Sequence, residues 1–147
     1  MTEFESPSDL TFNRGLVADP QAFAAGAGAA SWLYLCSDEF AEVPSGMAYA
    51  SVEAAVPEAA RVVSDGQTPL DMQLARTQIA ALESLPRPTL VTCRTGPRSS
   101  ALVYLYSGLK AGANAGEVLE RADADEAPFA GSAELRAWVT QGLDELS

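Results

Sequence analysis

The chain has 147 residues, near the size of one domain, and 48% of them are hydrophobic, enough to bury one core without disulfides or structural metals. Nine basic residues against twenty acidic ones give a net charge of −11, which speaks against partnership with nucleic acid or with an anionic membrane surface. Histidine is absent, so the commonest metal ligand and general base are both missing, no metal or cofactor is expected, and acid–base work falls to carboxylates or a thiol.

In chain order, residues 1–11 are polar and acidic and are expected to form a loose, flexible N-terminal arm, followed by a single domain over 12–147. Phe12 to Ala18 reads as an edge strand. Asp19 and Pro20 mark a helix start, and an Ala-rich helix follows to Ala27. Ser31 to Cys36 is a continuous apolar run with aromatics, suited to a strand covered on both faces. Val52 to Ala60 reads as a short helix and Arg61 to Ser64 as a brief strand. Thr68, Pro69 and Asp71 then form a capping pattern for a helix reaching about Leu85, with Leu70, Leu74, Ile79 and Leu82 on one stripe. Thr89 to Thr92 is a buried strand, and helices are expected over about 99–109, 113–122 and 132–146. Strands separated by helices, without hairpin signals, predict a three-layer α/β fold with a mostly parallel central sheet of about four to five strands. Ligands in such folds gather at the carboxyl ends of the strands, where Cys36 and Cys93 both fall.

Charge is uneven along this chain. Between Ser84 and Gly116 there is no Asp or Glu, whereas Arg87, Arg94, Arg98 and Lys110 all lie inside, so a small anion is the expected ligand. Within that stretch comes Cys93-Arg94-Thr95-Gly96-Pro97-Arg98-Ser99. A strand ending in a thiol, a Gly-containing turn and a helix start together make a cradle for an anion beside a sulfur nucleophile. The amides of residues 94–98 and the helix dipole favour the thiolate, Gly96 turns the backbone, Arg98 offers a planar fork for two oxygens, and Ser99 can donate to the sulfur. Cys93 and Arg98 are thus candidate catalytic residues, with Arg94, Thr95, Gly96, Pro97 and Ser99 as substrate-binding residues. Two cysteines form no disulfide framework and point to a reducing interior, cytoplasmic or organellar, rather than to secretion. A reversible Cys36–Cys93 disulfide is a further possibility.

The Cys93–Ser99 loop resembles the signature of the beta-lactamase-hydrolase-like phosphatase-like domains, a branch of the protein tyrosine and dual-specificity phosphatase superfamily. Arg14-Gly15-Leu16 before Asp19-Pro20, Trp32 to Asp38, and Asp65-Gly66-Gln67-Thr68-Pro69 resemble further parts of that family. The resemblance implies hydrolysis of a phosphomonoester through a phosphocysteine on Cys93, with Asp65 as the acid and Asp71 as second choice. Two departures stand against it: Thr92 replaces the usual His before the nucleophile, and Arg98 follows at five positions where six is usual. The shorter spacing is also that of rhodanese-type sulfurtransferases, in which Cys93 would carry a persulfide and pass sulfur to a thiol or cyanide. A third reading keeps the loop as a non-catalytic anion- or partner-binding module.

Overall fold

The computed structural model describes residues 4–44, 46–65 and 67–147. Gly66, which marks the Asp65 loop in sequence, and residues 1–3 of the expected arm lie outside them. Four strands, β1 (Leu10–Phe12), β2 (Ser31–Tyr34), β3 (Glu58–Arg61) and β4 (Thr89–Thr92), form one wholly parallel sheet in the order β1-β4-β2-β3. The register sets Ser31 beside Thr89 and Tyr34 beside Thr92, and Leu10 beside Thr89 on the other flank of β4. Both central strands, β2 and β4, are buried at every residue, as a sheet covered on two faces requires.

Alternation along the central strands divides the core into two layers. Trp32, Tyr34 and Leu90 face α1 (Pro20–Ala27) and α2 (Tyr49–Ala55), packing with Ala24, Phe40 and Val52. Leu33, Leu35 and Val91 face the opposite layer, built from α3 (Met72–Ser84), α4 (Pro97–Ala111), α5 (Ala115–Ala124) and α6 (Ala133–Leu146). Helix α4 runs through the middle of that layer, buried without interruption from Ser99 to Tyr106, and its amino end opens directly out of the Cys93 turn. Gly108 lets α4 lie close to its neighbours: a Cβ there would stand 2.6 Å from Val118 and 2.9 Å from Leu143.

The three-layer parallel architecture, helix Pro20–Ala27 and strand Thr89–Thr92 match the sequence reading. Several boundaries differ, each for a physical reason. Residues 4–11 are not a loose arm: Phe4 and Leu10 are buried in the core, and Leu10 to Phe12, rather than Phe12 to Ala18, is the edge strand. Residues 58–60, expected to be helical, pair with β2 instead, because Val56 and Pro57 end α2 and extend the chain toward the sheet edge. Thr68 does not cap α3, since its hydroxyl is engaged with Asp65; Asp71 caps it by accepting from the Leu74 N–H at 2.9 Å.

Candidate active site

Three strands deliver residues to one cleft just past their carboxyl ends, and the fourth, β1, delivers a residue that braces its floor. Asn13 follows β1, Cys36 follows β2, Ser64 and Asp65 follow β3, and Cys93 follows β4. Cys36, Ser64, Asp65, Cys93, Arg94, Thr95, Pro97 and Arg98 line a cleft of 190 Å³. This is the place where a parallel sheet of this kind presents ligand sites.

Cys93 is 6% exposed, and its Sγ accepts from the backbone N–H of Gly96 at 3.1 Å and of Ser99 at 3.4 Å. Both donors belong to the turn that starts α4, so the positive end of the helix dipole points at the sulfur. Pro97 sits in the first helical turn, where its missing N–H leaves no bond unmade. Gly96 adopts φ +115°, and a Cβ there would stand 2.2 Å from the Asn13 carbonyl oxygen, so the turn closes only with glycine. Ser99 is fully buried, and its hydroxyl accepts from the Cys93 thiol at 3.5 Å rather than donating to it. It donates to Asn13 Oδ1 at 2.8 Å.

Asn13, missed in the sequence, holds the loop together. It is 2% exposed and its Nδ2 donates to the carbonyls of Gly15 and Cys93, both at 2.9 Å, and of Arg94 at 3.3 Å. Its Oδ1 accepts from Cys93 N–H at 3.3 Å and from Ser99. One side chain thus ties the edge strand to both ends of the Cys93 turn. The available signal was a single polar amide directly after the apolar end of a strand. Thr92, at the position where His is usual, is a buried acceptor for Trp32 Nε1 at 2.8 Å.

Arg98 lines the cleft, and its Nη1 donates to Ser64 Oγ at 2.9 Å and to the Thr68 carbonyl at 3.3 Å. Burial pulls its guanidinium down from the ordinary value, while the charges of Asp65 and Cys93 hold it up. Asp65 is the only carboxylate among the described residues that lines the cleft. Its Oδ1 accepts from Gln67 N–H at 3.0 Å and from the Thr68 hydroxyl at 3.3 Å. The Gln67 amide first, then the Thr68 hydroxyl and Arg98, hold the carboxyl below its usual range despite some burial. Asp71, the second-choice acid, is spent on capping α3 and does not line the cleft.

Both cysteines are free. Burial and the neighbouring Cys93 push the Cys36 thiol up to about 12, so at neutral pH it remains protonated. Exposed Arg94 leans over the Phe40 ring, its guanidinium carbon 5.1 Å from the centroid, and Thr95 beside it is also exposed.

No protein-family model and no curated protein matches the chain. Solved structures do match over nearly its whole length. Tk-PTP in its active form superposes with a TM-score of 0.70 at 16% identity, covering 95% of this chain and 93% of that one. The chain has the fold of these phosphatases. The core catalytic domain of the PP-IP phosphatase Siw14 from S. cerevisiae, in complex with citrate, gives 0.65 at 15% identity, covering 97% and 84%. A DUF442 protein from Shewanella putrefaciens CN-32, described as a candidate phosphatase, gives 0.66 at 23% identity, covering 97% and 86%. No described helix is long and apolar enough to cross a membrane, and no described group of His, Cys, Asp and Glu is placed to hold a metal ion.

Proposed function

We propose that the protein is a cysteine-dependent phosphatase that hydrolyses a phosphomonoester through a phosphocysteine on Cys93. The observation that carries this reading is the pair of backbone N–H groups at 3.1 and 3.4 Å from the Cys93 sulfur, in a cleft shared with Arg98 and Asp65. Phosphoryl transfer asks a protein for positioning and for donors aimed where charge develops, and the turn, the helix start and Arg98 are the parts that meet that demand.

In the first step the Cys93 thiolate forms a bond to phosphorus as the bond from phosphorus to the leaving oxygen breaks. The departing oxygen keeps the electron pair and takes a proton from Asp65 or from solvent. Arg98 Nε and Nη2, which make no bond with a described residue, face the non-bridging oxygens, while Nη1 stays on Ser64. In the second step Asp65 accepts a proton from water, whose oxygen attacks phosphorus. The bond from phosphorus to sulfur breaks, and inorganic phosphate and the thiolate are released.

The low-lying carboxyl of Asp65 divides these two duties unequally. As a base for the second step it is already ionised at neutral pH. As an acid for the first step it is protonated only in a small fraction of molecules, so leaving groups that depart without a proton, such as aryl oxides, are favoured. The substrate is a phosphorylated small molecule or protein, the acceptor is water, and the protein works without a resident cofactor in a reducing compartment.

The sulfurtransferase reading rests on the five-residue spacing alone, and the three similar structures above are all named phosphatases or candidates for that name. The deciding experiment mixes the protein with 4-nitrophenyl phosphate and, separately, with thiosulfate, quenches in denaturing detergent at mildly alkaline pH within milliseconds and weighs the peptide bearing Cys93. A phosphoryl adduct is expected with the first. One added sulfur atom with the second, and no phosphoryl adduct, would replace this reading with sulfur transfer. No adduct in either case would leave a binding module.

A further inference from the structure

Five of the nine basic residues pair with carboxylates: Arg61 with Asp38, Arg87 with Asp9, Lys110 with Glu83, Arg121 with Asp125 and Arg136 with Asp123. Arg14 and Arg98 donate to carbonyl and hydroxyl oxygens. Among the described residues, only Arg76 and Arg94 have neither kind of partner, and only Arg94 of these two lines the Cys93 cleft. In a chain of net charge −11, an unpaired guanidinium at that position is not explained by folding. It is held, too, since its guanidinium carbon lies over Phe40, 5.1 Å from the centroid of a buried ring in the short 3₁₀ turn after β2. A cation–π contact restrains the position of a guanidinium while leaving N–H groups free to donate.

The cleft itself is small. At 190 Å³ it is below the roughly 300 to 1,000 Å³ of sites that enclose a whole ligand. It takes a phosphoryl group, and the rest of the substrate must lie at the rim. Of the rim side chains, Arg94 supplies the cationic edge, and Asp65 is already answered by Gln67, Thr68 and Arg98. The long-range field of the protein repels anions, so a substrate with two anionic groups gains from a local cation at each of them.

We infer that Arg94 forms a second anion subsite, so that the preferred substrate is a phosphomonoester bearing another anionic group, carboxylate or phosphate, close to the scissile phosphoryl. This rests on the phosphatase reading for turnover but not for binding, and the test separates the two. The probes are 3-carboxyphenyl phosphate and its methyl ester, which differ in the charge beside the phosphoryl group. The wild-type protein is expected to show a kcat/KM for the carboxylate about tenfold above that for the ester, mainly through KM, as one charge-assisted hydrogen bond at a partly exposed site supplies. Arg94→Ala should bring that ratio to about one, and Arg94→Lys should restore part of it. A wild-type ratio near one, or a ratio unchanged in Arg94→Ala, overturns the subsite. If neither probe is turned over, both are titrated into Cys93→Ser protein with and without Arg94→Ala. A preference for the carboxylate that disappears with Arg94 then supports the subsite while discarding phosphatase activity, and equal binding of both probes overturns it.

Discussion

Two cysteines stand past the ends of adjacent parallel strands, both buried and both on one cleft, yet their surroundings differ completely. After Cys93 the chain turns at Gly96 and enters the 15-residue helix α4, and two backbone N–H groups of that turn reach the sulfur. After Cys36 it enters only the 3₁₀ turn Asp38–Ala41, with acidic residues Asp38 and Glu39 at its start, and the thiol is pushed up to about 12. Burial alone makes a thiol inert. Burial with amides and a helix start turned inward is the setting the proposed nucleophile needs, and the residues after the strand decide which setting a thiol receives.

The most severe test of this contrast is to remove each sulfur in turn. Cys93→Ser should lower turnover of an aryl phosphate by about a thousandfold or more and abolish the phosphoryl adduct on the peptide bearing residue 93. Next in size are changes that leave the sulfur but spoil its bowl. Gly96→Ala drives a methyl into the Asn13 carbonyl, and Asn13→Ala strands the buried carbonyl of Cys93 and the buried hydroxyl of Ser99. Each should cost on the order of a hundredfold in kcat/KM and about 1 to 3 kcal/mol of stability in urea unfolding. Asp65→Asn should have a smaller, substrate-dependent effect. With 4-nitrophenyl phosphate the burst of nitrophenol should persist while steady turnover slows by about tenfold, because release of phosphate from Cys93 loses its base. For an alkyl phosphate, wild-type turnover should rise as pH falls toward the depressed pKa of Asp65, since its protonated fraction grows, and Asp65→Asn should flatten that rise. Smallest of all, Cys36→Ser should stay within about threefold of wild type; a loss comparable to that of Cys93→Ser would erase the distinction between the two strand ends.

What could be read from the chain was local. The strand Thr89–Thr92 and the turn after it are contiguous, so Cys93, Arg98 and the glycine are visible together, and helix Pro20–Ala27 announces itself by Asp19 and Pro20. Asn13 was not legible, because its meaning lies in bonds to residues 80 and more positions away. The partners of Arg98 on the β3 loop were hidden for the same reason. Strand β3 itself, with two alanines between Glu58 and Arg61, carries composition that suits a helix as well, and only its place beside β2 makes it a strand.

Strand β1 is three residues long and pairs on one side only, yet the residue directly after it carries the amide that shapes the Cys93 turn. A margin so short opens more readily than the interior, and every such opening unlatches the Cys93 turn while the rest of the sheet stays intact. Heat should therefore silence the protein several degrees before it melts, and a tighter join at Leu10 to Phe12 should raise the temperature of inactivation more than that of unfolding.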